Sequence, residues 1–246
     1  NNFKKFKDKI DYIVVDEPPP TLLNLEEGES KESKGEKLIL NGMARDYFQR
    51  EKLQTGLSGL LDDDLIIISD LDEIPNLADL DFRNINNKII MFNQKMFYYK
   101  LNLLYDNFQW HGSKACKKKF FKSPQWLRNI KSKKYSKFRI DLVFSQKKYS
   151  DIFFVENGGW HFTCVKTPEE LEKKLLNFAH HYEFEESGLK IKDIKEFIKE
   201  KRVMYDHSVD QKGYKWSGKS RLKKIDNDLL PKYLKSNLNK YTDWID

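Results

Sequence analysis

The spacing of hydrophobic and polar positions changes period along the chain. Residues 10–15 (IDYIVV) are apolar enough for a buried strand, and they follow a basic amphipathic start at 3–9. Pro18, Pro19 and Pro20 then end any regular element, since proline fixes φ and lacks an N–H. The polar, low-complexity stretch 28–37 (GESKESKGEK) is expected as a surface loop, within a mobile region spanning about 17–37. From about 41 to 61, Met43, Tyr47, Phe48, Leu53, Leu57 and Leu60 recur near the helical period. Asp62 to Asp64 break that pattern, and Leu65-Ile66-Ile67-Ile68 follows as an unbroken apolar run. Such a run predicts a central strand buried on both faces.

Downstream, segments 88–92, 96–103, 140–144, 152–155 and 160–164 have β-like composition. Thr167-Pro168-Glu169-Glu170 then carries a helix start: Thr167 caps, Pro168 suits the first helical position, and Glu170 completes a capping box. Leu171, Leu175 and Phe178 give that helix its apolar stripe. Further helices are predicted over about 191–201 and 229–238, so that about 167–246 reads as a C-terminal helical segment. Helix and strand alternate early and strands dominate the middle. This order predicts an α/β protein, one domain around a mixed sheet.

Composition narrows the function classes. A chain of 246 residues can bury a core without disulfide or metal staples. Its 14% aromatic content argues against disorder. No apolar run approaches the ~18 residues of a membrane span. The charge of +7 suits anionic ligands, although a lysine-rich solvated surface is the better account of it. Cys116 and Cys164 are too few for a disulfide framework and lack metal-site spacing, so two buried thiols are expected, with a single disulfide the alternative. The chain begins without Met or a leader and is read as an excised piece of something longer, which leaves the compartment open.

The candidate chemistry centres on Ser69-Asp70-Leu71-Asp72-Glu73-Ile74-Pro75, at the end of the Ile-rich strand. Ligands of open α/β sheets bind at such carboxyl ends. Close carboxylates repel unless a cation lies between them, and oxygen ligands of this type suit Mg²⁺ or Mn²⁺ bound with substrate phosphates. Two chemistries use an acidic triplet there. One is an aspartyl-nucleophile phosphatase, with Asp70 attacking and Asp72 as acid. The other is transfer from a nucleotide-sugar, with the metal stabilising the departing nucleotide. Asn157-Gly158-Gly159-Trp160-His161-Phe162 adds paired glycines for close backbone approach, a flat ring for sugar stacking, and an imidazole for metal or phosphate. Ala179-His180-His181-Tyr182-Glu183 closes the capped helix. Arg45, Gln49 and Arg50 on the early helix are candidates for phosphate, and Trp110 to Lys114 with Lys117 to Lys119 for a polar rim. Against each stands a plainer reading: an acidic turn, a satisfied core histidine, or solvated surface cations.

In combination these segments resemble glycosyltransferase family 17, the family of the β-1,4-mannosyl-glycoprotein 4-β-N-acetylglucosaminyltransferases. The carrying residues are Ala44-Arg45-Asp46-Tyr47-Phe48-Gln49-Arg50, Ile66 through Pro75, Gly159-Trp160-His161-Phe162 and His181-Tyr182-Glu183, in the family's order. The resemblance implies a GT-A-type, Rossmann-like fold, a divalent metal (Mn²⁺ or Mg²⁺), a UDP-sugar donor with UDP-GlcNAc first, a glycan acceptor, and inversion at the anomeric carbon. It implies Asp70, Asp72 and His161 as metal ligands. It places Arg45, Gln49, Arg50, Asp70, Lys114, Gly159 and Trp160 around the donor. For the base that takes the acceptor proton, Glu73 and Glu183 are the candidates, with Asp141 and Glu156 also open. Family members carry a further strand–helix–strand unit ahead of the segment resembling residues 10–15, so the chain is expected to be N-terminally incomplete. A microbial or viral member is expected in the cytoplasm. Three rivals remain: a non-catalytic basic module for nucleic acid or acidic glycan, a degenerate transferase and, weakest, the aspartyl-nucleophile phosphatase.

Overall fold

A computed structural model describes residues 3–78, 80–178, 181–210 and 213–246. It is a mixed α/β structure with two mixed sheets. Helix α1 (Lys31–Lys52) comes first, followed by strands β1 (Leu65–Ile68), β2 (Glu73–Pro75), β3 (Ile89–Phe92), β4 (Gln94–Tyr98), β5 (Leu103–Trp110) and β6 (Lys114–Lys117). Short helices α2 (Pro124–Asn129) and α3 (Asp141–Phe144) precede β7 (Ile152–Val155) and β8 (Gly159–Thr163). The chain closes with α4 (Pro168–Asn177), α5 (His181–Ser187), α6 (Ile191–Lys199), β9 (Lys223–Lys224) and α7 (Lys232–Lys235). No helix among the described residues is long and apolar enough to cross a membrane.

The first sheet has the order β1-β6-β3-β7 and the second β2-β8-β4-β5-β9. They share a seam that the chain crosses repeatedly. β1 passes to β2 through residues 69–72, β3 to β4 through Asn93 alone, β5 to β6 through 111–113, and β7 to β8 through 156–158. β3 and β7 are parallel partners, and so are β4 and β8, so one parallel pair runs through both sheets and bends at the seam. The bend is stitched by backbone bonds: Asn93 N–H to Val155 O at 3.0 Å, Gly158 N–H to Asn93 O at 2.9 Å, and Asn76 N–H to Gly158 O at 3.0 Å. Any side chain at Gly158 would collide with the backbone of Phe92 and Asn93, and Gly159 sits at φ +117°, a region only glycine enters readily. The glycine pair thus admits the chain's own neighbouring strands, where the sequence suggested a ligand.

The Ile-rich strand β1 is an edge strand, not a central one. Both of its faces are nevertheless used. Ile66 and Ile68 pack with Ile89, Met91 and Leu127, while Leu65 and Ile67 lie against the cluster of Ile90, Phe92 and Val155. The largest core lies between the second sheet and the C-terminal helices, where Tyr99, Tyr105, Leu171, Phe184, Ile194 and Met204 meet. Thr167 and Glu170 form the expected capping box. Cys116 and Cys164 are both buried free thiols.

Several predicted elements differ. Residues 31–37 are helical, not loop: Ser30 caps α1 by accepting from Ser33 N–H at 3.1 Å, and the Lys/Glu composition that reads as low complexity also favours helix. α1 ends at Lys52, before the predicted Leu61. Residues 10–15 form no strand; Tyr12 and Val14 are exposed, and an apolar run without a ladder partner leaves its backbone groups to water. Residues 140–144 coil into α3, because Asp141 pairs with Arg139 and Lys148 on either side and folds the segment back on itself. The segment 96–103 is two strands parted by a turn beginning at Tyr99, whose φ is +65°. Beyond Lys199, the C-terminal segment is mostly irregular and includes β9.

Candidate functional site

Where β1 runs into β2, the acidic turn lies on the seam and opens on a cleft of about 640 Å³. α1 supplies Asp46, Gln49 and Arg50 to it; the turn supplies Asp70 and Asp72. α2 supplies Arg128, β8 supplies His161, and α4 supplies Lys174. Three segments far apart in sequence, all named by the resemblance, therefore line one cavity.

The two aspartates of the turn take different partners. Asp70 lies between two guanidiniums, with Oδ1 accepting from Arg50 Nη2 at 3.2 Å and Oδ2 from Arg128 Nη2 at 2.5 Å. Glu73 stands behind them, its side chain fully buried. It accepts from Arg128 at 2.9 and 3.2 Å, from Trp110 Nε1 at 2.8 Å, and from the Asp70 backbone N–H at 3.0 Å. Arg128 also donates to Gly112 O and lies over the Trp110 ring, 5.9 Å from its centre. Gly112 makes this arrangement possible, since a β-carbon there would collide with both the Glu73 carboxylate and the Trp110 indole.

Asp72 Oδ1 lies 3.5 Å from His161 Nε2. Burial raises the Asp72 pKa, but the bond to His161 and the nearby Lys174 charge outweigh it and hold the carboxyl below its usual range. His161 is buried on β8, stacked on Trp110 at 4.5 Å between ring centres, and its Nδ1 has no hydrogen-bond partner among the described residues. His207 meets the edge of Trp110 at 5.7 Å. Burial, reinforced by the charges of His161 and Lys215, pushes His207 down to about 4. The loop that carries it is tied by Asp206, which accepts from Tyr105 OH at 2.5 Å and from Ser220 Oγ at 2.5 Å.

Other expected site residues lie elsewhere. Glu73, a candidate base, is sealed inside the arginine cluster and faces no acceptor. Glu183, the second candidate, lines a different cavity of about 730 Å³ with Tyr182, Glu186 and Trp216. Asp141 is tied to Arg139 and Lys148, and Glu156 accepts from Asn93 Nδ2 at 2.7 Å beside a separate hollow. Arg45 lines an adjoining depression of about 530 Å³ that shares Asp46 and Gln49 with the cleft. Lys114 points away from the donor region: its ammonium is buried against the carbonyls of Arg128 and Ile130 at 2.6 and 2.5 Å. Burial and the Arg128 charge lower its pKa to about 7. Trp160 alternates with His161 on β8 and faces the other way, donating to Leu229 O at 2.7 Å. Gly159 is spent on pairing with Pro75. Of the closing cluster 179–183, Ala179 and His180 lie outside the described residues.

The expected metal trio also divides. Asp72 and His161 face one another, while Asp70 is turned to the guanidiniums. Among the described residues no group of three or more His, Cys, Asp or Glu side chains is placed to hold a metal ion. Arg128, Lys174 and His207 were not singled out by sequence. Ser123-Pro124 ahead of Trp126 and Leu127 is a cap-plus-proline helix start that would have located α2 and hence Arg128. No comparable signal marks His207.

No protein-family model, no curated protein and no solved structure matches the chain significantly.

Proposed function

We propose that the protein is a glycosyltransferase that moves a sugar, GlcNAc first among candidates, from a UDP-sugar to a glycan hydroxyl, on a fold of the GT-A type. The observation that carries this reading is the convergence of Gln49, Arg50, Asp70, Asp72 and His161 on one cleft at the end of β1. A donor diphosphate is an anion that needs cations and hydrogen-bond donors held in advance, and Arg50, Arg128 and Lys174 are there. A divalent ion, when bound, supplies Lewis-acid neutralisation of the leaving diphosphate. A carboxylate and an imidazole suit such an ion, and Asp72 and His161 are the residues that would hold it, with Asp70 joining only if it leaves its arginine partners. The acceptor hydroxyl gives its proton to a carboxylate that opens on the cleft. With Glu73 sealed, Glu183 on another cavity and Asp72 given to the ion, Asp46 is the carboxylate left for that role.

The test is a panel of nucleotide-sugars, each screened for Mn²⁺-dependent thermal stabilisation and then for transfer or donor hydrolysis. A ligand that binds only the folded state raises its melting temperature. One UDP-sugar is expected to stand out, and Asp72→Ala is expected to abolish turnover while the variant stays folded. Full turnover by Asp72→Ala, or no response to any nucleotide-sugar, overturns the proposal.

A further inference from the structure

We propose that Arg50 and Arg128 form a seat for a diphosphate group, and that the Asp70 carboxylate occupies this seat in the free protein and leaves it when the diphosphate arrives. This builds on the reading of the cleft as a donor site; it names the groups that grip the ligand and the one that must move.

The two guanidiniums are fixed from behind. Arg128 is held by both oxygens of Glu73 and by Gly112 O, and Arg50 donates through Nη1 to Gln125 Oε1 at 2.6 Å. Their side chains are 16% and 18% exposed, against 36% for Asp70. The stiff partners are thus the cations, and the carboxylate is the loose one. Asp70 bridges them with one oxygen to each, as two oxygens of a phosphate would. Its departure needs no backbone change, because the Asp70 N–H is anchored separately on Glu73 at 3.0 Å, so rotation of the side chain toward solvent is enough.

The charges favour the exchange. Glu73 permanently balances one guanidinium, and Asp70 balances the other only while it stays. A diphosphate brings more negative charge than one carboxylate, so it pairs with the two guanidiniums more strongly than Asp70 does. Under this view Asp70 competes with the anion when no metal is present. A metal-ligand role alone predicts no gain on its removal while metal is absent, and a loss once metal is supplied.

Calorimetric titration of the whole chain with inorganic pyrophosphate in EDTA decides between the two. Asp70→Asn is expected to bind pyrophosphate roughly tenfold more tightly than the unmodified protein, and Arg50→Gln roughly tenfold more weakly. Arg50→Gln is preferred to an Arg128 variant because its remaining partner, Gln125, is uncharged, so folding is retained; a melting curve verifies this. Unchanged or weaker metal-free binding by Asp70→Asn, or unchanged binding by Arg50→Gln, overturns the seat. The two readings fail separately. Sugar transfer by a protein whose Asp70→Asn variant loses metal-free pyrophosphate affinity removes the seat and keeps the transferase. The expected pyrophosphate pattern without transfer from any donor keeps the seat and removes the transferase.

Discussion

On one wall of the cleft Asp70 lies between Arg50 and Arg128, backed by the buried Glu73; on the other, Asp72, with the same 36% exposure, meets His161 near Lys174. Both carboxylates come from one turn, yet their surroundings are opposite. The first wall is a closed ion network in which each member satisfies another. The second is less satisfied: among the described residues His161 Nδ1 has no partner, and the Asp72–His161 contact is long at 3.5 Å. The first side holds its two cations in place behind an exchangeable carboxylate, and the second leaves an imidazole nitrogen to a ligand. Trp110 belongs to both walls, donating to Glu73 with its indole N–H and stacking on His161 with its ring.

The sharpest way to break this contrast is Glu73→Ala. It removes the fully buried partner of Arg128, Trp110 Nε1 and the Asp70 N–H together and leaves Arg128 only the mobile Asp70 as ion partner, which costs about 3 kcal/mol or more. In a chain of this size that lowers the melting temperature by roughly 10 °C. Asp72→Ala, on the open wall, is expected to move stability by no more than about 1 kcal/mol. Equal losses in the two variants, read by thermal unfolding, would erase the distinction between the walls.

A smaller effect separates the walls by pH. His207 titrates near 4 when folded, below the ~6.5 of an unfolded imidazole. The unfolded chain therefore takes up this proton first as pH falls. The stability His207 contributes is complete above about 6.5 and declines toward about 4, by up to about 3 kcal/mol. Asp72 has the depressed carboxyl pattern, so its contribution persists above the ordinary carboxylate range and is lost only as pH falls below it. His207→Gln should flatten the melting-temperature profile between pH 4 and 6.5 and leave the steeper fall below pH 4; an unchanged slope contradicts the assignment.

The smallest expected change is Trp110→Phe, which removes the donor to Glu73 and keeps an aromatic face for His161. A loss of about 1–2 kcal/mol is expected from the unfilled bond. If instead the His161 ring resonances shift strongly while stability holds, Trp110 serves the open wall alone.

The legible parts of this molecule were those written in local sequence. Thr167 to Glu170 announces a helix through side chains that reach their own backbone, and the Ile-rich run before Asp70 announces a strand ending in acid. What escaped depends on partners distant in sequence. Glu73 looks like any acidic turn residue until Gly112 leaves room for it and Arg128 comes to meet it. Lys114 looks like the start of a basic surface run, yet β6 turns it inward onto two carbonyls. Residues 10–15 have strand composition, but composition does not supply a neighbour to pair with.

The single-residue passage at Asn93 has a consequence for how this chain tolerates changes of length. Side chains alternate across a strand, so one residue added between β3 and β4 would turn β4 over, exchanging Met96 and Tyr98 with Lys95 and Phe97. Its parallel neighbour β8, which carries His161, would lose its register at the same stroke. Insertions are therefore excluded where the sheets join, and the room for lengthening lies in the surface stretch at 131–150, away from the bend.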